Sequence, residues 1–139
     1  MLARDTWYAL NDVIQRDNWD EVIRYFAPEC SWRLMPPGTV FRGSAQILGF
    51  LKSGWNAAAA RQEPQVRNDF ACGQDGVFEY TSRGTIDAQK ATQFAAVTGA
   101  AQSPVNLVGK EFSFHVCFVY HVNVEGLIDR VNEYAAPEL

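Results

Sequence analysis

Residues 111–134 read EFSFHVCFVYHVNVEGLIDRVNEY. Phe, Val and Tyr recur at every second position, the signature of extended chain with one buried face. The stretch therefore predicts two strands, Glu111–Asn123 and Leu127–Tyr134, joined by Val124-Glu125-Gly126. If Glu125-Gly126 forms a two-residue turn, Val124 stands opposite Leu127 and the register of the hairpin follows. One face then carries Phe114, Val116, Phe118, Tyr120, Val131 and Glu133. The other carries His115, Cys117, Val119, His121, Arg130, Asn132 and Tyr134. The first face is an aromatic wall with one carboxylate in it. The second is mixed and suits either solvent or a subunit contact.

Working back from this hairpin, Val66–Cys72 and Val77–Thr85 alternate in the same way and are joined by Gly73-Gln74-Asp75-Gly76, a strong turn signal. In the second of these strands Phe78, Tyr80 and Ser82 share one face, and Val77, Glu79, Thr81 and Arg83 the other. Ahead of Trp55 the period is helical. Trp7, Leu10, Val13 and Ile14 form an apolar stripe over residues 4–16. Asp17-Asn18 can end that helix and cap a second, with Trp19, Val22, Ile23 and Phe26 buried and Pro28 as the stop. A strand from Cys30 to Met35 is broken by Pro36-Pro37-Gly38, and Ser44 is placed to cap a third helix with Ile47, Leu48, Leu51 and Trp55 inward. Residues 87–108, rich in Ala, Gln, Thr, Gly and Ser, read as a short helix or as a loop over a pocket. Helices followed by a run of strands predict an α+β domain spanning 1–139, with three N-terminal helices on the concave side of a strongly bent antiparallel sheet.

A chain of 139 residues, 47% hydrophobic and 20% charged, is sized for one self-sufficient core. Its net charge of −4, with no run of Lys or Arg, argues against nucleic acid as a partner. Neither a secretory leader nor a membrane-length apolar segment is expected. Cys30, Cys72 and Cys117 are odd in number and widely spaced, which fits reduced thiols in a cytoplasm. The aromatic share of 13% either fills the core or lines a pocket.

Three phrases, in this order, carry a family resemblance. Phe26-Ala27-Pro28-Glu29-Cys30-Ser31-Trp32 is similar to a helix-to-first-strand passage of the nuclear transport factor two-like superfamily. Phe41-Arg42-Gly43-Ser44-Ala45-Gln46-Ile47 is similar to its entry into the third helix. Val124-Glu125-Gly126-Leu127-Ile128, with Glu133-Tyr134 after it, is similar to its last hairpin. Within that superfamily the chain most resembles SnoaL-like polyketide cyclases, with ketosteroid isomerase and limonene epoxide hydrolase as cousins. The resemblance implies a cone-shaped, cystatin-like fold, a conical pocket for a hydrophobic small molecule, and often a homodimer. It implies acid–base chemistry without metal or organic cofactor. It does not imply one reaction.

Site residues follow partly from the faces and partly from the resemblance. Glu133 before Tyr134 resembles the last-strand Asp of the epoxide hydrolase. Among aromatic side chains it is expected to have a raised pKa and to act as general acid or base; at a strand-end rim it would be hydrated or salt-bridged instead. The hydrolase's Arg–Asp pair corresponds to Tyr80 and Ser82, so that mechanism loses support. Tyr80 remains a candidate hydrogen-bond donor, or a core tyrosine. The isomerase's catalytic Asp corresponds to Met35, which cannot accept a proton. Trp32, Met35, Trp55, Phe78, Phe114, Phe118 and Tyr120 are the expected substrate-contacting residues. His115 becomes the acid–base candidate only if the hairpin register slips by one. His115 and His121, six residues apart on one strand and so roughly 20 Å from each other, cannot share a metal. Two functions stay open: a cofactor-independent isomerase, cyclase or dehydratase on an aromatic or polycyclic compound, and a non-catalytic ligand-binding or dimeric accessory protein.

Overall fold

The computed structural model describes residues 3–35, 38–52, 65–88, 91 and 108–138. Three helices, α1 (Ala3–Gln15), α2 (Trp19–Val22) and α3 (Gly43–Lys52), accompany six strands. The strands are β1 (Phe26–Met35), β2 (Thr39–Arg42), β3 (Gln65–Cys72), β4 (Asp75–Thr85), β5 (Glu111–Val122) and β6 (Ile128–Glu138). They form one curled, unclosed sheet in the order β2-β1-β6-β5-β4-β3. The expected α+β architecture holds, with one change. The sheet is mixed, because β1 runs parallel to β6 while every other pair is antiparallel.

The helix α1 buries Trp7, Leu10 and Val13, the stripe its spacing predicts. Asp17 ends the helical stretch in the left-handed region, at φ 54°. The next segment departs from expectation. After α2 comes a single 3₁₀ turn, Ile23–Tyr25, and the chain is already extended at Phe26. Pro28 therefore lies within β1 rather than ending a helix. It is tolerated because pairing to β6 is interrupted between Phe26 and Ser31, where no ladder donor is lost. Ser44 is likewise inside α3 and not its cap. The helix opens at Gly43 (φ 78°), and the Gln46 Oε1 atom accepts from the Arg42 backbone N–H at 2.9 Å.

The last hairpin reaches the predicted register by another route. The loop is longer than a two-residue turn: the Asn123 side chain accepts from the N–H groups of Glu125 and Leu127, both at 3.0 Å, and Gly126 takes φ 82°. Asp129 then bulges out of β6, between the pairs Val122↔Ile128 and His121↔Arg130. Loop and bulge offset one another, so Tyr120 faces Val131 and Phe118 faces Glu133, as the shorter turn would have placed them.

The concave face of the sheet and the inner faces of the helices share one aromatic core. Trp7 stacks on Tyr120 with ring centroids 4.4 Å apart and touches Phe118 at 5.0 Å. Trp32 meets Phe118 edge-on at 6.0 Å, with Phe26 and Phe50 around it. Such pairs add about 0.5–1.5 kcal/mol each beyond the area they bury. The edge strand β3 is tied to α1 by Asp69, which accepts two hydrogen bonds from the Arg4 guanidinium, at 2.9 and 3.1 Å, and one from the Tyr8 hydroxyl.

Candidate active site in the cone

Glu133 is the sixth of eleven residues in β6, and it is completely buried. The alternation in sequence predicts this strand only as far as Tyr134. Backbone pairing to β5 nevertheless continues to Ser113↔Glu138. Glu133 consequently lies well inside the sheet, flanked by Phe118 on β5 and Leu34 on β1. Its Oε1 atom accepts a hydrogen bond from the Trp32 indole N–H at 3.1 Å. Water is excluded from this carboxyl group, which is 0% exposed.

Tyr80 is the second titratable group of this interior. It is 5% exposed, and its ring centroid is 6.1 Å from that of Phe118. Burial pushes its phenol well above the ordinary tyrosine range, and the negative charge of Glu133 pushes it further. A phenol so held stays protonated, a donor rather than a base. Ser82, two residues along the same face of β4, is buried too, and its Oγ has no hydrogen-bond partner among the described residues. The Trp7 indole N–H and the Tyr120 hydroxyl are also buried without partners there. The Tyr120 phenol is pushed up to about 12, chiefly by burial. Unpartnered buried donors are uncommon in folded proteins, and a bound molecule is one way to satisfy them.

The other expected site residues divide clearly. Trp32, Phe114, Phe118 and Tyr120 are buried in the core, and Phe78 packs against it half-buried. Met35 does not join them. Alternation along β1 turns Trp32 and Leu34 inward and Met35 outward, where it lines a recess on the opposite face of the sheet. Trp55 lies outside the described residues. His115 is on the outer face, its Nδ1 3.2 Å from the Thr81 hydroxyl, so the register does not slip. His121 is outside as well, 2.6 Å from Asp129. Among the described residues no group of three or more His, Cys, Asp or Glu could hold a metal ion, and no helix is long and apolar enough to cross a membrane. Sequence reasoning passed over Trp7 as a polar group. The signal available was an indole in the most buried stripe of α1, whose N–H must find a partner or go without.

A curled sheet in the order β2-β1-β6-β5-β4-β3, covered by N-terminal helices, is the architecture of a known domain type. Residues 7–131 match the family model described as SnoaL-like domain. The chain belongs to that family. Solved structures agree on the fold of this SnoaL-like domain. A nuclear transport factor two-like protein of unknown function from Cytophaga hutchinsonii superimposes with a TM-score of 0.63 at 16% identity, over 96% of this chain and 98% of the other. A protein proposed to be a polyketide cyclase, from Xanthomonas campestris, gives 0.62 at 20% identity over 95% and 88%. A protein proposed to be a ketosteroid isomerase, from Kribbella flavida, gives 0.61 at 15% over 96% and 77%. At these identities the likeness carries the fold alone. No curated protein matches the chain.

Proposed function

We propose that this SnoaL-like domain is a cofactor-independent enzyme that moves protons on a hydrophobic, aromatic or polycyclic small molecule, by isomerisation, cyclisation or dehydration. Glu133 is the general acid–base group and Tyr80 the hydrogen-bond donor to a substrate oxygen. One observation carries the reading: a fully buried carboxyl group, Glu133, on the same inner face of the sheet as the buried phenol of Tyr80. Burial disfavours the charged form of a carboxyl group, so Glu133 is expected to titrate above the ordinary range, toward the pH at which a general base works best. Trp32 opposes part of that shift, since its N–H favours the carboxylate.

The test needs no known product. In deuterated buffer, a base of this kind washes deuterium into carbon acids beside a carbonyl, and mass spectrometry reads the exchange across a panel of aromatic and polycyclic ketones. Glu133→Gln keeps the side-chain volume and a hydrogen-bond acceptor for Trp32. It is expected to keep the fold and the uptake of ligand while reducing exchange by about 10²–10⁴-fold, the usual worth of a positioned acid–base group. Equal exchange in the Gln variant would remove Glu133 from the mechanism.

The Trp32 hydrogen bond favours a second reading, in which Glu133 is held as a structural acceptor and the cone binds a hydrophobic ligand without turning it over. In either case the protein is taken to be cytoplasmic and dimeric, packed through the outer sheet face at His115, Cys117 and Val119. These side chains are only half-buried in one protomer, with Tyr134 and Phe70 exposed on the same face of the sheet. Twofold dimers are the commonest assemblies. Sedimentation at micromolar concentration is expected to give twice 15.6 kDa, and the monomer mass would exclude the dimer.

A further inference from the structure

On the outer face of the sheet, behind the cone, β2, β1 and β6 shape a recess of about 290 Å³. Three arginines line it. Arg42 on β2 and Arg130 on β6 stand opposite the same residue of β1, Ser31, one from each side. Neighbouring strands are about 4.8 Å apart, so the two backbones lie roughly 10 Å from each other across Ser31. Arg33 is one pleat further along β1, about 7 Å away, beside Asn132. Side chains as long as arginine, rooted on that triangle, can bring their guanidinium groups to a common point. Asn132 and Tyr134 add polar groups to the wall, over a floor that includes Met35 and Val40.

Three like charges gathered in a recess repel one another, and a chain of net charge −4 has carboxylates to spare for them. They are nonetheless not used here. Among the described residues neither Arg33 nor Arg42 has a carboxylate partner, and Arg130 reaches only Asp75, at 3.5 Å between side chains that are both more than half exposed. An exposed pair at that distance holds its members loosely. Planar guanidinium forks favour oxyanions, which they bind in two-pronged fashion.

The geometry points to a binding site for a small oxyanion, a phosphate or carboxylate group borne by a small molecule, in the recess between Arg33, Arg42 and Arg130. It is separate from the cone. Along β1 and β6 the recess residues alternate with Trp32, Leu34, Val131 and Glu133, so the two sites lie back to back on one sheet.

The test uses the full chain, with inorganic phosphate and citrate as probes and sodium chloride at matched ionic strength as the control. Amide NMR shifts are expected to saturate and to centre on residues 31–33, 40–42 and 130–132. The stronger of the two probes tells a phosphate site from a carboxylate site. By calorimetry, Arg33→Gln and Arg42→Gln should each weaken that probe about tenfold, since a charge-assisted hydrogen bond is lost in each. Arg42→Lys, which keeps the charge but not the fork, should fall between wild type and Arg42→Gln. All three positions are exposed, so folding is expected to survive and circular dichroism checks it. Shifts that match chloride, or affinities unchanged in both Gln variants, overturn the proposal. So does a change of sedimentation in those variants with probe affinity intact, which would make the arginines a contact between copies instead.

Discussion

Gly76 is a glycine for reasons of space. A Cβ built on it would lie 2.2 Å from Cζ and 2.3 Å from the hydroxyl oxygen of Tyr120, its partner across β4 and β5. No side chain can occupy that position unless the ring leaves, and the ring has nowhere to go. It is 1% exposed and lies flat on Trp7, 4.4 Å away with only 7° between the planes. In Gly76→Ala either Tyr120 swings off its rotamer and breaks the stack, or β4 and β5 part locally. Overpacking of this kind costs about 1–3 kcal/mol, and the stiffer unfolded chain returns only about 0.4–1 kcal/mol. A net loss of about 1.3 kcal/mol is expected where the ring must rotate. The unfolding entropy of a chain this long is about 0.3 kcal/mol/K, so Tm should fall by about 4 °C. Near-ultraviolet circular dichroism should lose the signal of the Trp7–Tyr120 pair at the same time. Tyr120→Leu in the same chain removes the clash, so the double variant should be more stable than the two single losses added together. A Tm within a degree of wild type, with an unaltered aromatic spectrum, would show that the ring has room, and the reasoning from contact distance would fail.

Two further predictions concern titration. The Tyr80 phenol should resist ionisation well beyond the ordinary tyrosine range, and Glu133→Gln should bring its pKa down by removing one of the two causes, leaving burial; ring-carbon NMR resolves the residue, and an unchanged midpoint would mean Glu133 carries no charge beside it. Asp69 has its pKa lowered first by the hydrogen bonds from Arg4, against the opposing effect of partial burial. Its contribution to stability is therefore present above the unfolded carboxyl value of about 3.9 and lost as pH falls through the lowered folded one. Wild type should melt above Asp69→Asn at neutral pH, and the gap should close in acid; a gap independent of pH would mean that the charge is not what ties α1 to β3.

Period and turn chemistry made most of this fold legible. The stripe of α1 and the faces of β4, β5 and β6 depend on which side chains alternate, and that is written locally. Thr39, Val40 and Phe41 are strand formers that follow the Pro36-Pro37-Gly38 break, a signal the sequence reading did not use; they pair with β1. The same locality explains the rest of what was missed. Glu133 was placed on the correct face but left open to a hydrated strand end, because the extension through Ala135, Ala136 and Pro137 comes from the partner strand β5. Met35 lies on the face opposite Trp32, as odd and even positions of one strand do, and the alternation that separates them is present in the sequence. The Arg4–Asp69 bond and the gathering of Arg33, Arg42 and Arg130 were beyond reach, since they join elements far apart in the chain.

The parallel pairing of β1 with β6 sets an order of events during synthesis. The hydrogen bond from Trp32 to Glu133 spans 101 of the chain's 139 residues. While the ribosome is still extending the chain, the indole and its helices have no carboxyl group to meet, and the central slot of the sheet, between β1 and β5, is vacant. Contacts so distant in sequence form late and slowly, after loop-closure entropy has been overcome. The aromatic interior is thus completed only once β6 emerges, and a chain cut short before β6 would present two unpaired strand edges in place of a continuous sheet.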